Sequence, residues 1–288
     1  MQTILITGIN GFLGSNIAKY LSDKYQVIGL EYSTQNLFRL TGYSFEVFAS
    51  TDNPEDIFKR YEIYAVLHVA TVYRRHGEPV NKLISTNIQL PVDLYELADK
   101  YGTKMFINTD SFFNNPNYQY KYLGDYTLSK RHAADWLKLI NKRCKTINLK
   151  LFHMYGAGDA PDKFLPKLFS DIKMNKQLIE LTPGEQVRDF VYVEDVAAAY
   201  KVVLESYESL AEGFSEFEVG TGTPTSVNQL VLLIAACSGS TSTFNFGALP
   251  YRENEIMHAV ANIEPIASLG WEPRYSLKEG ITAMLNIS

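Results

Sequence analysis

The sequence predicts a doubly wound α/β fold, in which a parallel β-sheet is covered by helices on both faces. Two observations carry this. Short apolar runs alternate with stretches of helical spacing through the first half of the chain, the mark of βαβ units. The first run also leads into a turn with glycine at every third position, Gly8, Gly11 and Gly14, which opens a helix.

The apolar runs are "TILIT" (3–7), "QVIGL" (26–30), "FEVFA" (45–49), "YAVLHVA" (64–70), "KMFIN" (104–108) and "TINLKLF" (146–152). Strands buried on both faces read in this near-continuous way. Helical spacing fills 12–23, 81–101 and 126–143 between most of them. Such a sheet receives its ligand at the carboxyl ends of the strands. The pattern then loosens. "GEQVRDFVYVEDVAAAY" (184–200) reads as a turn, a short strand and a helix, and "SVNQLVLLIAACSG" (226–239) as a helix stopped by glycine. "LGWEPRYSLKEGITAMLNI" closes the chain. The expected division is a sheet domain over 1–155 and a smaller lobe over 156–288, with about 180–215 returning to the sheet domain.

Bulk properties narrow the class of function. The 288 residues are 46% hydrophobic and 20% charged, with a net charge of −5. That balance suits a soluble globular protein and argues against a nucleic-acid surface, which shows as clustered basic residues. Two distant cysteines, Cys144 and Cys237, give neither a disulfide framework nor metal-ligand spacing. No apolar run approaches the roughly 18 residues of a membrane span. The chain enters "TILIT" directly, without a charged leader, so the expected location is the cytoplasm.

Two local patterns carry chemistry. In "LITGINGFLGSNIA" the glycines follow a strand and open a helix, an arrangement that lets a backbone approach a dinucleotide pyrophosphate. Glu31 ends the second strand, where a carboxylate accepts bonds from an adenosine ribose and repels a 2′-phosphate. It leans the choice to NAD(H), while Arg39 keeps NADP(H) open. In "YTLSK", Tyr126 and Lys130 stand four residues apart, on one helix face. A neighbouring ammonium is expected to lower the phenol pKa, and such a pair can exchange a proton with a carbonyl oxygen. "NTDSFF" sets Thr109, Asp110 and Ser111 at the end of the fifth strand.

Together these residues resemble the extended short-chain dehydrogenase/reductases that act on nucleotide sugars. "TGINGFLG", "VLHVAT", "NTDSFF", "YTLSK", "LFHMYGAGD", "RDFVYVEDV" and "LGWEP" occur in that family's order over nearly the whole chain. "NTDSFF", "TPGEQVRDFVYVEDV" and "FNFGALPYRENEIMHAVAN" are similar in particular to the CDP-abequose and CDP-paratose synthases, and "RRHGEPVNKLISTNIQLP" resembles the paratose enzymes. The resemblance implies a Rossmann-type domain with a C-terminal substrate lobe, and Thr109, Tyr126 and Lys130 as catalytic residues. For the cofactor it adds Asn10, Phe12, Leu13 and Asn108, together with Val69, Ala70 and Thr71. For the sugar nucleotide it implies Arg188 and Arg252 on the diphosphate and Glu255 on the ribose. His76, Asn87, Asp110 and Ser111 are expected around the sugar, as are His153, Lys163 and Phe164. His153 and Lys150 depart from the general family and agree with the closer group. Ser50 stands where relatives carry an adenine-contacting aspartate, which leaves Asp52 a loose substitute.

The implied reaction is NAD(P)H-dependent reduction of the 4-keto group of a CDP-4-keto-3,6-dideoxyhexose, for O-antigen or other surface polysaccharide, and the resemblance to such reductases leans to NADPH where Glu31 leans to NAD(H). A nucleotide-sugar 4-epimerase, or a 4-ketoreductase for another nucleotide-linked deoxysugar, is the alternative. A 4,6-dehydratase fits less well, because Ser111 stands where that chemistry needs a glutamate. The resemblance also implies a homodimer through the helices around 79–101 and 126–143.

Overall fold

The computed structural model describes residues 1–118 and 122–287. The first half runs β1 (Thr3–Thr7), α1 (Phe12–Leu21), β2 (Gln26–Glu31), β3 (Glu46–Ala49), α2 (Pro54–Arg60) and β4 (Ile63–His68). It continues with α3 (Val80–Ile84), α4 (Leu90–Lys100), β5 (Met105–Ser111), α5 (Gly124–Ile140) and β6 (Lys145–Leu151). The second half holds β7 (His153–Tyr155), α6 (Phe164–Lys173), β8 (Leu178–Leu181), β9 (Val187–Arg188), β10 (Phe190–Tyr192) and α7 (Val193–Glu205). Then come β11 (Phe214–Val219), β12 (Thr225–Ser226), α8 (Val227–Ser238), β13 (Thr243–Phe246), β14 (His258–Ala259), α9 (Glu264–Ala267) and α10 (Leu277–Ile287).

Seven strands form one sheet in the order β3-β2-β1-β4-β5-β6-β11, every neighbouring pair parallel. The chain reverses its direction of winding between β1 and β4, which opens a crevice at their carboxyl ends. One face of the sheet packs Ile4, Ile6, Ile107 and Leu149 against α1 and α7. The other packs Leu5, Val66 and Phe106 against α2, α4 and α5. A separate cluster of Leu168, Ile172, Leu230, Ile234 and Ile281 holds α6, α8 and α10 together. The segment 193–219 contributes α7 and β11 to the sheet assembly, between stretches that build this second cluster.

Local chemistry explains several boundaries. Ser226 caps α8 in a reciprocal capping box with Gln229, and Gly239 ends the helix at φ 65°. The stretch 81–101 is not one helix. A π-turn over Ser85–Gln89 separates α3 from α4 and coincides with Pro91, which has no N–H to offer the preceding turn. The "LGWEP" motif is structural: Trp271 donates its indole N–H to the Asp195 carbonyl at 3.0 Å, tying the chain's end to α7. No helix among the described residues is long and apolar enough to cross a membrane.

Candidate active site

The glycine turn between β1 and α1 has the shape of an anion cradle. Gly8 sits at φ 65°, and a Cβ there would press on the Ala70 backbone at 2.8 Å. A Cβ at Gly14 would run into the Gly8 carbonyl oxygen. Gly11 precedes α1 with no side-chain cap, and the first turn holds no acidic residue, so the leading N–H groups face the crevice uncompensated. These features fit a dinucleotide pyrophosphate. Leu13 points into the core, while Phe12 borders the crevice beside Lys163, whose ammonium lies 5.9 Å from its ring.

Glu31 ends β2 as expected. Its carboxylate accepts the Asn10 N–H at 2.9 Å and the Tyr32 N–H at 2.9 Å. Arg39 donates to the Asn10 and Gly158 carbonyls, at 3.4 and 3.0 Å, and is thereby engaged in joining the turn to a distant loop. Asp52 accepts the Ala49 N–H at 2.9 Å, closing a local turn.

Beneath the crevice, Val69 and Ala70 donate their N–H groups to Thr7 Oγ1 at 3.0 and 3.1 Å. That hydroxyl's own proton therefore goes to His68 Nδ1, 3.0 Å away, which makes His68 a neutral ring protonated on Nε2. Burial, and then the charge of Lys130, push its pKa well below the usual histidine value. Asn108, next in register on β5, donates to Asn148 Oδ1 at 2.7 Å.

Strand β5 runs two residues past Thr109, to Ser111. This changes the expected reading of "NTDS". Thr109 lies one pleat below the strand end, on the α7 side, and its hydroxyl is paired with the buried Tyr200 phenol at 2.6 Å. Ser111 is the hydroxyl that stands alongside the Tyr126 phenol. Asp110, expected near the sugar, is buried and saturated. It accepts the Ser111 N–H at 2.7 Å, Asn114 Nδ2 at 2.9 Å and Asn148 Nδ2 at 2.8 Å. Burial raises its pKa despite these donors.

Tyr126 and Lys130 lie on the inner face of α5, both buried. Lys130 Nζ donates to the Thr109 carbonyl at 2.8 Å and stays 5.9 Å from the Tyr126 ring centroid. The expected lowering of the phenol pKa is reversed. Burial, followed by the Tyr73 phenol and the Asp110 charge, pushes it well above the ordinary tyrosine value. Desolvation also brings Lys130 down to about 8. Tyr126 is accordingly held as a protonated phenol. Tyr73, which the sequence reading missed, stacks on it with ring centroids 4.4 Å apart.

Asn87, expected near the sugar, is fully buried. Its side chain accepts the Val72 N–H at 2.8 Å and donates to the Val72 carbonyl at 2.9 Å and to Ser129 Oγ at 2.9 Å. Thr71 Oγ1 lies 3.4 Å from the same amide oxygen. Among the second-half residues, Lys163 pairs with Asp159 at 2.7 Å, and Phe164 is exposed at the start of α6. His76 stands 3.4 Å from Asp162 across the mouth. Arg188 and Glu255, expected to hold separate parts of a ligand, meet each other at 2.6 Å with side chains only 8% and 13% exposed. His153 is half-buried beside them with its ring 4.4 Å from Phe112, and its buried Nδ1 has no protein partner. Burial and the Arg188 charge keep it neutral. Arg252 lies 3.7 Å above the Tyr122 ring. The Asp of "RDF" was also missed: buried Asp189 accepts N–H bonds from Thr221, Gly222 and Ala261, clamping β9 to the loop after β11.

Comparison with known proteins identifies the family. The chain is 30% identical to the CDP-abequose synthase of Salmonella typhimurium, over 99% of this chain and 97% of the relative. It is 32% identical to that of Salmonella muenchen, over 99% and 98%. A crystal structure of the UDP-glucose 4-epimerase of Thermotoga maritima superposes with a TM-score of 0.83 at 23% identity, covering 99% of this chain and 98% of that one. Residues 4–220 match the NAD dependent epimerase/dehydratase family. With the glycine cradle, the parallel sheet and these full-length relatives in agreement, the chain belongs to that family of extended short-chain dehydrogenase/reductases and is an enzyme of it.

Proposed function

We propose that the protein reduces the 4-keto group of a CDP-4-keto-3,6-dideoxyhexose, giving a CDP-3,6-dideoxyhexose of the abequose or paratose type. The observation that carries this is a buried, protonated Tyr126 at the carboxyl end of β5, with Ser111 beside its hydroxyl and Lys130 beneath it. Support for the substrate class comes from the two full-length CDP-abequose synthase relatives.

A nicotinamide dinucleotide bound in the cradle would supply the hydride. Glu31, already next to the Asn10 N–H, would accept the adenosine ribose hydroxyls, and its charge favours NADH over NADPH. The Tyr126 phenol donates its proton to the sugar oxygen as charge grows there. A raised pKa suits an acid, because the group must arrive protonated. Ser111 stabilises the same oxygen by hydrogen bonding. Lys130, buried beneath the ring, holds its ammonium against the Thr109 carbonyl. Its place against the Thr109 carbonyl leaves N–H groups for the cofactor ribose. Asp110 and Asn87 act by holding the strand end and the loop. Arg188, Arg252 and Glu255 would receive the nucleotide diphosphate and ribose, with the Arg188–Glu255 pair opening to do so. His153 Nδ1, neutral and unpartnered beside Arg188, is an acceptor for the same ligand.

The measurement that tests this is turnover of the CDP-4-keto-3,6-dideoxyhexose with NADH, with the C4 configuration of the product read by NMR. Tyr126→Phe should lose on the order of a hundred- to ten-thousand-fold. Near-normal turnover by that variant would refute the assignment. The fold shared with a UDP-glucose 4-epimerase keeps a second reading. Nicotinamide retained through purification, with epimerisation needing no added cofactor, would favour it. The protein would act in the cytoplasm as a homodimer. Leu128, Trp136 and Leu139 are exposed at helical spacing on α5, and Val80 and Ile84 are exposed on α3, a stripe suited to a second copy.

A further inference from the structure

We propose that Tyr73 is a positioning residue, holding the Tyr126 ring in line for proton transfer; this rests on the reading of Tyr126 as the acid. Tyr73 lies in the segment between β4 and α3, outside the clusters that build the core. Its ring is half-buried and stacks on Tyr126, with centroids 4.4 Å apart and planes 23° from parallel.

Both ends of the stack are anchored to the catalytic helix. Before Tyr73, the Val72 N–H and carbonyl are both bonded to the buried Asn87 amide. Asn87 donates in turn to Ser129 Oγ at 2.9 Å, and Ser129 donates to the Tyr126 carbonyl at 2.7 Å. After Tyr73, Arg74 adopts φ 57°, a left-handed conformation costly for a residue with a Cβ. That turn places its guanidinium on Asp125, the residue preceding Tyr126, while its Nε donates to the Glu78 carbonyl at 2.7 Å. The outer surroundings of Tyr73 are cationic: the Arg75 guanidinium lies 4.8 Å from the ring centroid and the Lys163 ammonium 5.9 Å.

A strained residue, a buried amide and an ion pair thus converge on one half-buried ring, which does not pack the interior. What the arrangement does fix is the plane of Tyr126. Proton transfer depends steeply on that alignment, since displacing a reacting group by about 1 Å can cost a hundredfold.

The test compares full-length Tyr73→Phe, Tyr73→Leu and Tyr126→Phe in the reduction of CDP-4-keto-3,6-dideoxyhexose by NADH. Tyr73→Phe keeps the stacked ring and should retain kcat within about threefold. Tyr73→Leu should lose about a hundredfold in kcat, with KM and melting temperature near those of the parent. Equal kcat for Tyr73→Leu and the parent overturns the proposal, as does a loss that Tyr73→Phe shares in full or that follows the melting temperature. A normally active Tyr126→Phe removes the underlying reading; an inactive Tyr126→Phe beside a normal Tyr73→Leu removes only the role of Tyr73. A crystal structure of Tyr73→Leu gives a readout independent of substrate. A displaced or multiply oriented Tyr126 ring is expected, and a ring left in place refutes the idea.

Discussion

Two substitutions on β5 separate catalysis from stability. Ser111→Ala removes the hydroxyl alongside the Tyr126 phenol, which in the proposed reaction would meet the charge growing on the substrate oxygen. Losing one such donor costs about 10²–10³ in kcat, or roughly 3–4 kcal/mol. In the fold the same oxygen accepts a long bond from the Phe113 N–H, at 3.3 Å, and meets the buried Tyr126 phenol, so stability should fall by about 1–2 kcal/mol. Thr109→Val keeps the side-chain shape but deprives the fully buried Tyr200 phenol of its partner. An unpaired buried hydroxyl costs about 2 kcal/mol, which in a chain of this size lowers the melting temperature by roughly 3 °C. Turnover should stay within about threefold of the parent, a barrier change under ~1 kcal/mol. The assays are NADH consumption with the keto-sugar nucleotide and thermal unfolding of each variant. A Thr109→Val protein with parental stability and a hundredfold loss of kcat would show that the hydroxyl leaves Tyr200 for the substrate, and the reasoning would fail.

Lys130 is held near 8 by burial, against about 10.4 in an unfolded chain. Between those values the unfolded state binds more protons, so this residue's contribution makes stability rise with pH, by about 3 kcal/mol across the window. Lys130→Met should abolish activity while removing that slope, as read by urea unfolding between pH 7 and about 10.5; parallel stability curves for the two proteins would contradict the burial argument. Glu31→Ala should shift the kcat/KM ratio towards NADPH by removing the charge that opposes a 2′-phosphate; an unchanged ratio would place the discrimination elsewhere. Sedimentation at micromolar concentration should show a dimer that Leu139→Glu dissociates, and a monomeric parent would end the dimer proposal.

Much of the fold was legible because it rests on patterns that survive any tertiary context. Near-continuous apolar runs mark strands covered on both faces, and six of the seven sheet strands were visible in this way. The missing one, β11, reads "FSEFEV", an edge strand whose alternating charges hide it. Glycine spacing after β1 announced the cradle, because a side chain at Gly8 or Gly14 would collide with backbone. The four-residue interval between Tyr126 and Lys130 announced a shared helix face. The stop at Gly239 marked the end of α8 to within a residue.

The fine structure of the site obeys a different logic. Composition located the Thr109-Asp110-Ser111 step at a strand end, yet only the extra length of β5 decides which hydroxyl reaches Tyr126. Tyr200, 91 residues away in the chain, takes Thr109, and Asn148 on the neighbouring strand takes Asp110. Arg188 and Glu255, each read as a ligand contact, neutralise one another across 67 residues. The direction of the Tyr126 pKa likewise depends on how deeply α5 sinks into the crevice, which no interval along the chain records. Periodicity and backbone stereochemistry are local and repeat, so they can be read from the chain. Partner choice and desolvation depend on what packing brings opposite each polar group, and that exists only in the folded molecule.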